Sequence, residues 1–417
     1  MISNAPRGRK IPQLAEIHHI GSEICYHTGM NTQLPGDFSD VNRYFIVPGG
    51  LRDVHVHFRD PGVPEAETRA TGAATAAAGG FTCVTTMPNT TPAGDNAAWL
   101  REQIEDTALP VRIAPSACIS KGRLGREVAD LEGLAAAGAV AFTDDGSFVD
   151  DVHVMEAAMF RAAKLHKPVM QHAVVPALLA GGVMRDCPVA RQFGLPVMPP
   201  AAEVEAVRRD IALCRVTGCA LHIQHISCAG TVDLIRDAQR EGLPVTGEAT
   251  PHHILLSCED IPADDANWKM APPLGSREDV AAIRAAVKDG TLGIFATDHA
   301  PHPASKKSDG FRTSANGIIG LETAAAITWQ VMVVEEGMAP ADWAARWTTG
   351  PAALIGETIA DPAQNFTVMD LQAKHTVDPA RFFTKSTNQP FTGLAFDAWP
   401  VRTVLNGKVT WNGQDVL

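Results

Sequence analysis

The chain has 417 residues, 45% of them hydrophobic and 20% charged, with a formal net charge of −12, an ordinary balance for a folded domain. The acidic total and the lack of a basic stripe exclude nonspecific nucleic-acid binding, and no run approaches the roughly 20 apolar residues of a membrane span. No apolar secretory segment is visible, and the eight cysteines at 25, 83, 118, 187, 214, 219, 228 and 258 show no CxxC pair, so a cytoplasmic protein is expected.

Short β-branched runs alternate with Ala-rich stretches along the chain. The predicted strands and their following helices fall at 51–57 and 65–78, 81–87 and 95–106, 111–117 and 126–137, and 139–143 and 151–166. Four more pairs fall at 168–172 and 200–217, 220–226 and 230–241, 243–249 and 277–289, and 292–298 and 318–336. Eight strands, each with its helix, predict an α/β fold of the (β/α)₈ TIM-barrel type over residues 49–359. The flanks, 1–48 and 360–417, hold short strand-like pieces and the turn signal Asn406-Gly407. They predict one small discontinuous β-domain built from both ends.

His55-Val56-His57 is the strongest chemical signal. Two histidines one residue apart on a strand share a face, because side chains alternate with period 2. Other candidate ligands end other predicted strands: Asp144 and Asp145 after the fourth, His172 after the fifth, His225 after the sixth and Asp298 after the eighth. A single one of these would be an ordinary hydrogen-bonded residue at a strand end. Their coincidence at the rim where barrel enzymes keep their sites points to a divalent metal such as zinc. Six ligands exceed what one tetrahedral ion accepts, so two metals are expected. Counting back along the fourth strand, Asp145 shares a face with Thr143, Ala141 and Ala139, and Asp144 with Phe142 and Val140. The small residues suit a crowded interior, which selects Asp145. No lysine occurs between Lys121 and Lys164, so an aspartate must take the place of a bridging carboxylated lysine.

The runs His55–Gly62, Met87–Thr90, Phe142–Gly146, Thr250–His253, Thr297–His302 and Gly317–Thr323 together resemble the bacterial dihydroorotases that bridge their metals with aspartate. That resemblance implies a cyclic-amide hydrolase of the amidohydrolase superfamily, acting on dihydroorotate in pyrimidine biosynthesis. It implies two Zn²⁺ held by His55, His57, Asp145, His172, His225 and Asp298, with Asp298 also moving the proton. Arg59 and Asn89 would hold the substrate carboxylate, with His302 in contact with the substrate. Ala271, Asn316 and Gly317 fall at further substrate-binding positions. Ala271 and Gly275 stand where the family pattern has asparagine and arginine, and Ala315-Asn316 where it has Pro-Phe. His252 and His253 are read as packing or supporting residues, and His222 as a barrel histidine with its bonds satisfied.

A homo-oligomer is expected, and aspartate carbamoyltransferase is a candidate partner. The rival readings are a hydantoinase, dihydropyrimidinase or allantoinase, and a catalytically weakened scaffold for that transferase. The stretch 303–317 is read equally as a lid or as a plain loop.

Overall fold

The computed structural model describes residues 38–106, 108–359 and 361–417. The expectations for residues 1–37 lie outside the described residues. Strand β1 (Tyr44–Pro48) leads through Gly49 and Gly50, both at positive φ, into β2 (Leu51–Val56). There follow β3 (Phe81–Thr86), β4 (Arg112–Ile113), β5 (Val169–Gln171), β6 (Leu221–Ile223), β7 (Val245–Ala249) and β8 (Ile294–Phe295). β2 to β4 are parallel neighbours, and so are β5 to β8. Phe142 links the two groups by single parallel bridges to Ala117 and Val169, and His299 closes the ring onto Val56. The result is an eight-position barrel.

Several strands are shorter than the sequence predicts, for identifiable reasons. Regular pairing in 111–117 stops at Ile113, although Ala114 N and Ser116 N still donate to Val84 O at 2.9 Å and Thr86 O at 3.1 Å. Pro115, with no N–H, faces the fourth position, where it only accepts, from Val140 N at 3.0 Å. At the fourth position the ladder reduces to the Phe142 bridges, although Phe142 N still donates to Pro168 O at 3.0 Å and Met170 N to Phe142 O at 2.8 Å. β6 and β8 end early because His225 and Asp298 turn into the left-handed region, with φ of 35° and 46°. Two of the candidate ligands are thus residues that leave the ladder.

Of the predicted helices, Arg277–Asp289 forms on its predicted bounds, Ala229–Arg240 is shifted by one residue, and Arg69–Ala78, Val152–Lys164 and Ala201–Thr217 form with trimmed ends. Thr68 and Ser276 each close a capping box that fixes the start of a helix. The stretch predicted at 318–336 becomes helical only from Ala324, and runs on as a π-helix over Trp329–Glu335. Its first residues are held instead by His299, whose Nδ1 accepts from Gly320 N at 3.2 Å and Leu321 N at 3.4 Å. Two helices after it, Pro340–Trp347 and Thr349–Leu354, were not predicted.

After the barrel, β9 (Phe366–Thr376), β10 (Ala395–Leu405) and β11 (Lys408–Trp411) join β1 in one antiparallel sheet of order β1-β9-β10-β11. Asn406 and Gly407 are both at positive φ, as a tight hairpin requires. The sheet is sewn to the barrel by Thr403 Oγ1, donating to Ala77 O at 2.7 Å, and by Phe45 packed on Trp329 and Trp343. Thr328 is a buried hub beneath this joint: its Oγ1 accepts the indole N–H of Trp343 at 3.0 Å and of Trp347 at 3.1 Å. Thr328→Val keeps the shape and strands two fully buried donors. A loss of about 1–3 kcal/mol per donor is expected, read as a lower denaturation midpoint in urea; an unchanged midpoint would show that the indoles find other acceptors.

Candidate functional site

At the C-terminal rim of the barrel, β2 presents His55 and His57 to one face, both buried. His55 Nε2 lies 3.4 Å from Asp145 Oδ1 and 3.4 Å from Asp298 Oδ1. His57 Nε2 lies 3.0 Å from Asp298 Oδ1 and 3.3 Å from Asp145 Oδ2. Opposite them, His172 Nδ1 and His225 Nε2 lie 3.4 and 3.6 Å from Asp145 Oδ1, and 2.8 Å from each other. All six residues expected as ligands therefore converge. They form three overlapping groups whose ligand atoms fit around an ion: His55, His57 and Asp145; His55, His225 and Asp298; and Asp145, His172 and His225.

Asp145 belongs to two of those groups. Its Oδ1 is fully buried yet accepts no hydrogen bond, although three imidazole nitrogens surround it. Burial alone would raise this carboxyl, but His55 and its neighbours hold it well below the usual carboxylate range. A buried oxygen without a donor, ringed by imidazoles, fits a divalent cation. Asp144 points elsewhere: its Oδ1 accepts from Ile119 N at 2.9 Å and Ser120 N at 3.1 Å.

The carboxylate-binding candidates lie to one side of the cluster. Arg59, Asn89 and His302 line a cavity of about 100 Å³ together with Thr90, Thr91 and Pro301. Arg59, at φ 57°, donates from Nε to Pro301 O at 3.2 Å. No carboxylate among the described residues lies within ion-pair distance of it. Asp60, a conceivable surface partner, instead accepts from Arg69 N at 3.0 Å. Burial lowers the Arg59 pKa to about 10, so the guanidinium stays charged near neutrality. Burial and the Arg59 charge push His302 down to about 3. Its neutral ring lies with Nε2 2.8 Å from Asn316 O and 3.4 Å from Arg59 Nη2.

Asn89 has a second contact, Oδ1 to His57 Nδ1 at 2.9 Å. Gly317, at φ 151°, leaves no room for a side chain, since a Cβ would sit 2.5 Å from Ala300 O. Ala271 does not line the cavity; it precedes the cis-linked Pro272. The 303–317 stretch is pinned down. Lys307 Nζ donates to Ala315 O and Gly317 O at 2.9 Å, Lys269 Nζ donates to Ser314 O at 2.6 Å, and Phe311 is buried.

Several residues around the cluster were not singled out from the sequence. Glu248 on β7 lies 2.6 Å from His55 Nδ1, and Asp53 accepts from His55 N at 3.0 Å. Arg123 donates to Asp145 O at 2.7 Å. The signal that would have found Glu248 is a carboxylate near the end of a short predicted strand, between Gly247 and Ala249. His222, expected to be satisfied, bonds Thr246 Oγ1 and Glu248 Oε2, both at 2.9 Å. His253 bonds Thr250 and the Pro272 carbonyl. No helix among the described residues is long and apolar enough to cross a membrane.

A family model described as dihydro-orotase-like matches residues 44–230. The dihydroorotase of Geobacillus thermodenitrificans is 40% identical over 412 residues, covering 97% of this chain and 96% of that protein. That of Bacillus caldolyticus is 42% identical over 384 residues, covering 90% and 89%. Among solved structures, the L-hydantoinase of Arthrobacter aurescens aligns with a TM-score of 0.78 at 24% identity, over 89% of this chain and 86% of that one. The dihydropyrimidinase of Brevibacillus agri aligns at 0.77 and 22%, over 90% and 86%. Those two likenesses speak for the barrel fold.

Proposed function

The chain belongs to the dihydroorotase family and is a cyclic-amide hydrolase, and on that premise we propose how its residues divide the work. The reaction is the reversible hydrolysis of the dihydroorotate ring amide to N-carbamoyl-L-aspartate, in pyrimidine biosynthesis. The observation that carries the substrate assignment is Arg59, a charged guanidinium without an anionic partner among the described residues, lining a cavity beside the candidate metal cluster. A planar carboxylate outside the scissile ring matches its forked donors. Asn89 and the neutral His302 complete the pocket, with Asn316 and Gly317 fixing the His302 ring from behind.

His55, His57, His172, His225, Asp145 and Asp298 would hold two Zn²⁺. Bound there, the metal supplies Lewis acidity toward the ring carbonyl and makes water acidic enough to react near neutral pH. Asp298 takes the proton of the attacking water and delivers it to the ring nitrogen as the C–N bond breaks. Arg59 fixes the ring so that this carboxylate faces both atoms. Catalysis is assigned to residues 49–359, and a supporting role to the small sheet of β1 and β9 to β11. A homo-oligomer in the cytoplasm, with aspartate carbamoyltransferase as a candidate partner, completes the proposal. The unpaired state of the seven described cysteines supports the reducing compartment.

Arg59→Met keeps much of the aliphatic bulk and removes the donors. It is expected to lower kcat/KM for dihydroorotate by roughly 10- to 100-fold, and far less for any residual turnover of dihydrouracil, which has no such carboxylate. A general defect would lower both alike. An unchanged ratio at normal metal content would remove Arg59 from carboxylate recognition and promote the hydantoinase-like reading.

A further inference from the structure

An imidazole that meets a metal with one nitrogen almost always has the other held by a hydrogen-bond partner, because that second bond sets both tautomer and ring orientation. For His57 the holder is Asn89. For His55 it is a carboxylate deep in the barrel: Glu248 Oε1 lies 2.6 Å from His55 Nδ1, and both residues are completely buried. The contact leaves His55 Nε2 as the nitrogen facing Asp145 and Asp298. The same Oε1 also accepts the backbone N–H of His225 at 3.0 Å, where the chain takes its left-handed turn. The other oxygen, Oε2, is tied to His222 Nε2 at 2.9 Å, and His222 in turn to Thr246. With both oxygens engaged, Glu248 cannot swing toward the metal side or away from His55.

We propose that Glu248 is a positioning residue for the metal centre: it keeps the proton of His55 on Nδ1, aims Nε2 at the metal, and anchors the backbone that presents His225. This rests on His55 being a metal ligand. Outer partners of this kind contribute about 10–100-fold to metal affinity.

The test uses the metal-free full-length protein, titrated with Zn²⁺ against a chromophoric chelator. Glu248→Gln is expected to weaken Zn²⁺ binding by about 10- to 100-fold. Asp210→Asn makes the same change at a buried carboxylate whose partners are Gln171 and Arg209, outside the cluster, and is expected to bind as the wild type does. Wild-type affinity in Glu248→Gln, or an equal loss in Asp210→Asn, overturns the proposal while leaving His55 as a ligand. A wild-type chain that takes up no Zn²⁺ removes the ligand reading itself, and this inference with it. Zinc-loaded wild-type protein carrying ¹⁵N-histidine gives a reading that needs no variant to fold. One ring with metal on Nε2 and a strongly downfield Nδ1 proton, shared with the carboxylate, is expected. If every metal-bound ring has its Nδ1 proton at an ordinary position, Glu248 does not hold His55.

Discussion

Asp298→Asn is expected to cut turnover of dihydroorotate by about 10²–10⁴-fold, the range that general acid–base residues supply, while the protein keeps its metal. The substitution is well matched to the question. Asp298 sits at φ 46°, a conformation that asparagine tolerates better than most residues, so the backbone that presents the side chain is preserved. The amide oxygen can still occupy the place of Oδ1, 3.0 Å from His57 Nε2, and so remain near the ion. What the amide cannot do is take a proton from water and return it to a ring nitrogen. Metal analysis and steady-state kinetics on one preparation decide it. Near-normal turnover with metal bound would take proton transfer away from Asp298 and leave it a ligand only.

The two neighbouring aspartates should fail in opposite ways. Asp145→Ala removes the carboxylate shared by two of the three ligand groups, and is expected to abolish both metal retention and turnover. The fold should survive, since Asp145 Oδ1 makes no hydrogen bond whose loss would strand a partner. Asp144→Ala should do the reverse. Its carboxylate caps Ile119 N and Ser120 N, and leaving those donors bare costs about 1–3 kcal/mol each, with metal content kept. Elemental analysis beside a denaturation curve separates the two, and exchanged phenotypes would shift the ligand assignment by one residue.

That contrast also measures what the sequence could convey. The choice of Asp145 over Asp144 rested on strand alternation and the small residues beside it, and the chain does turn Asp145 inward. The six candidate ligands were legible because each follows a β-branched run, and a barrel gathers strand ends at one rim. Strand lengths were not legible. Regular pairing depends on His225 and Asp298 leaving the extended region, and local propensity carries no trace of either. The late start of the last predicted helix has a similar cause. His299 claims the N–H groups of Gly320 and Leu321 from about twenty residues away, a tertiary contact that overrides a favourable helical sequence. Glu248 stayed unnoticed for a plainer reason: its significance comes from His55 on β2, across the barrel.

The small sheet imposes an order on events during synthesis. β1 leaves the ribosome before any barrel strand, yet among the strands described here its one ladder partner is β9, encoded about 320 residues later. At about 5–20 residues per second, that strand waits roughly 15 to 65 s for its mate, with its row of N–H and C=O groups open to other chains. Every barrel position is available first, so closure of β1 onto β9 is a final clasp drawn across a finished barrel. A nascent chain stalled before Phe366 would carry all six candidate metal ligands and an unpaired edge, and molecular chaperones would meet it in that state.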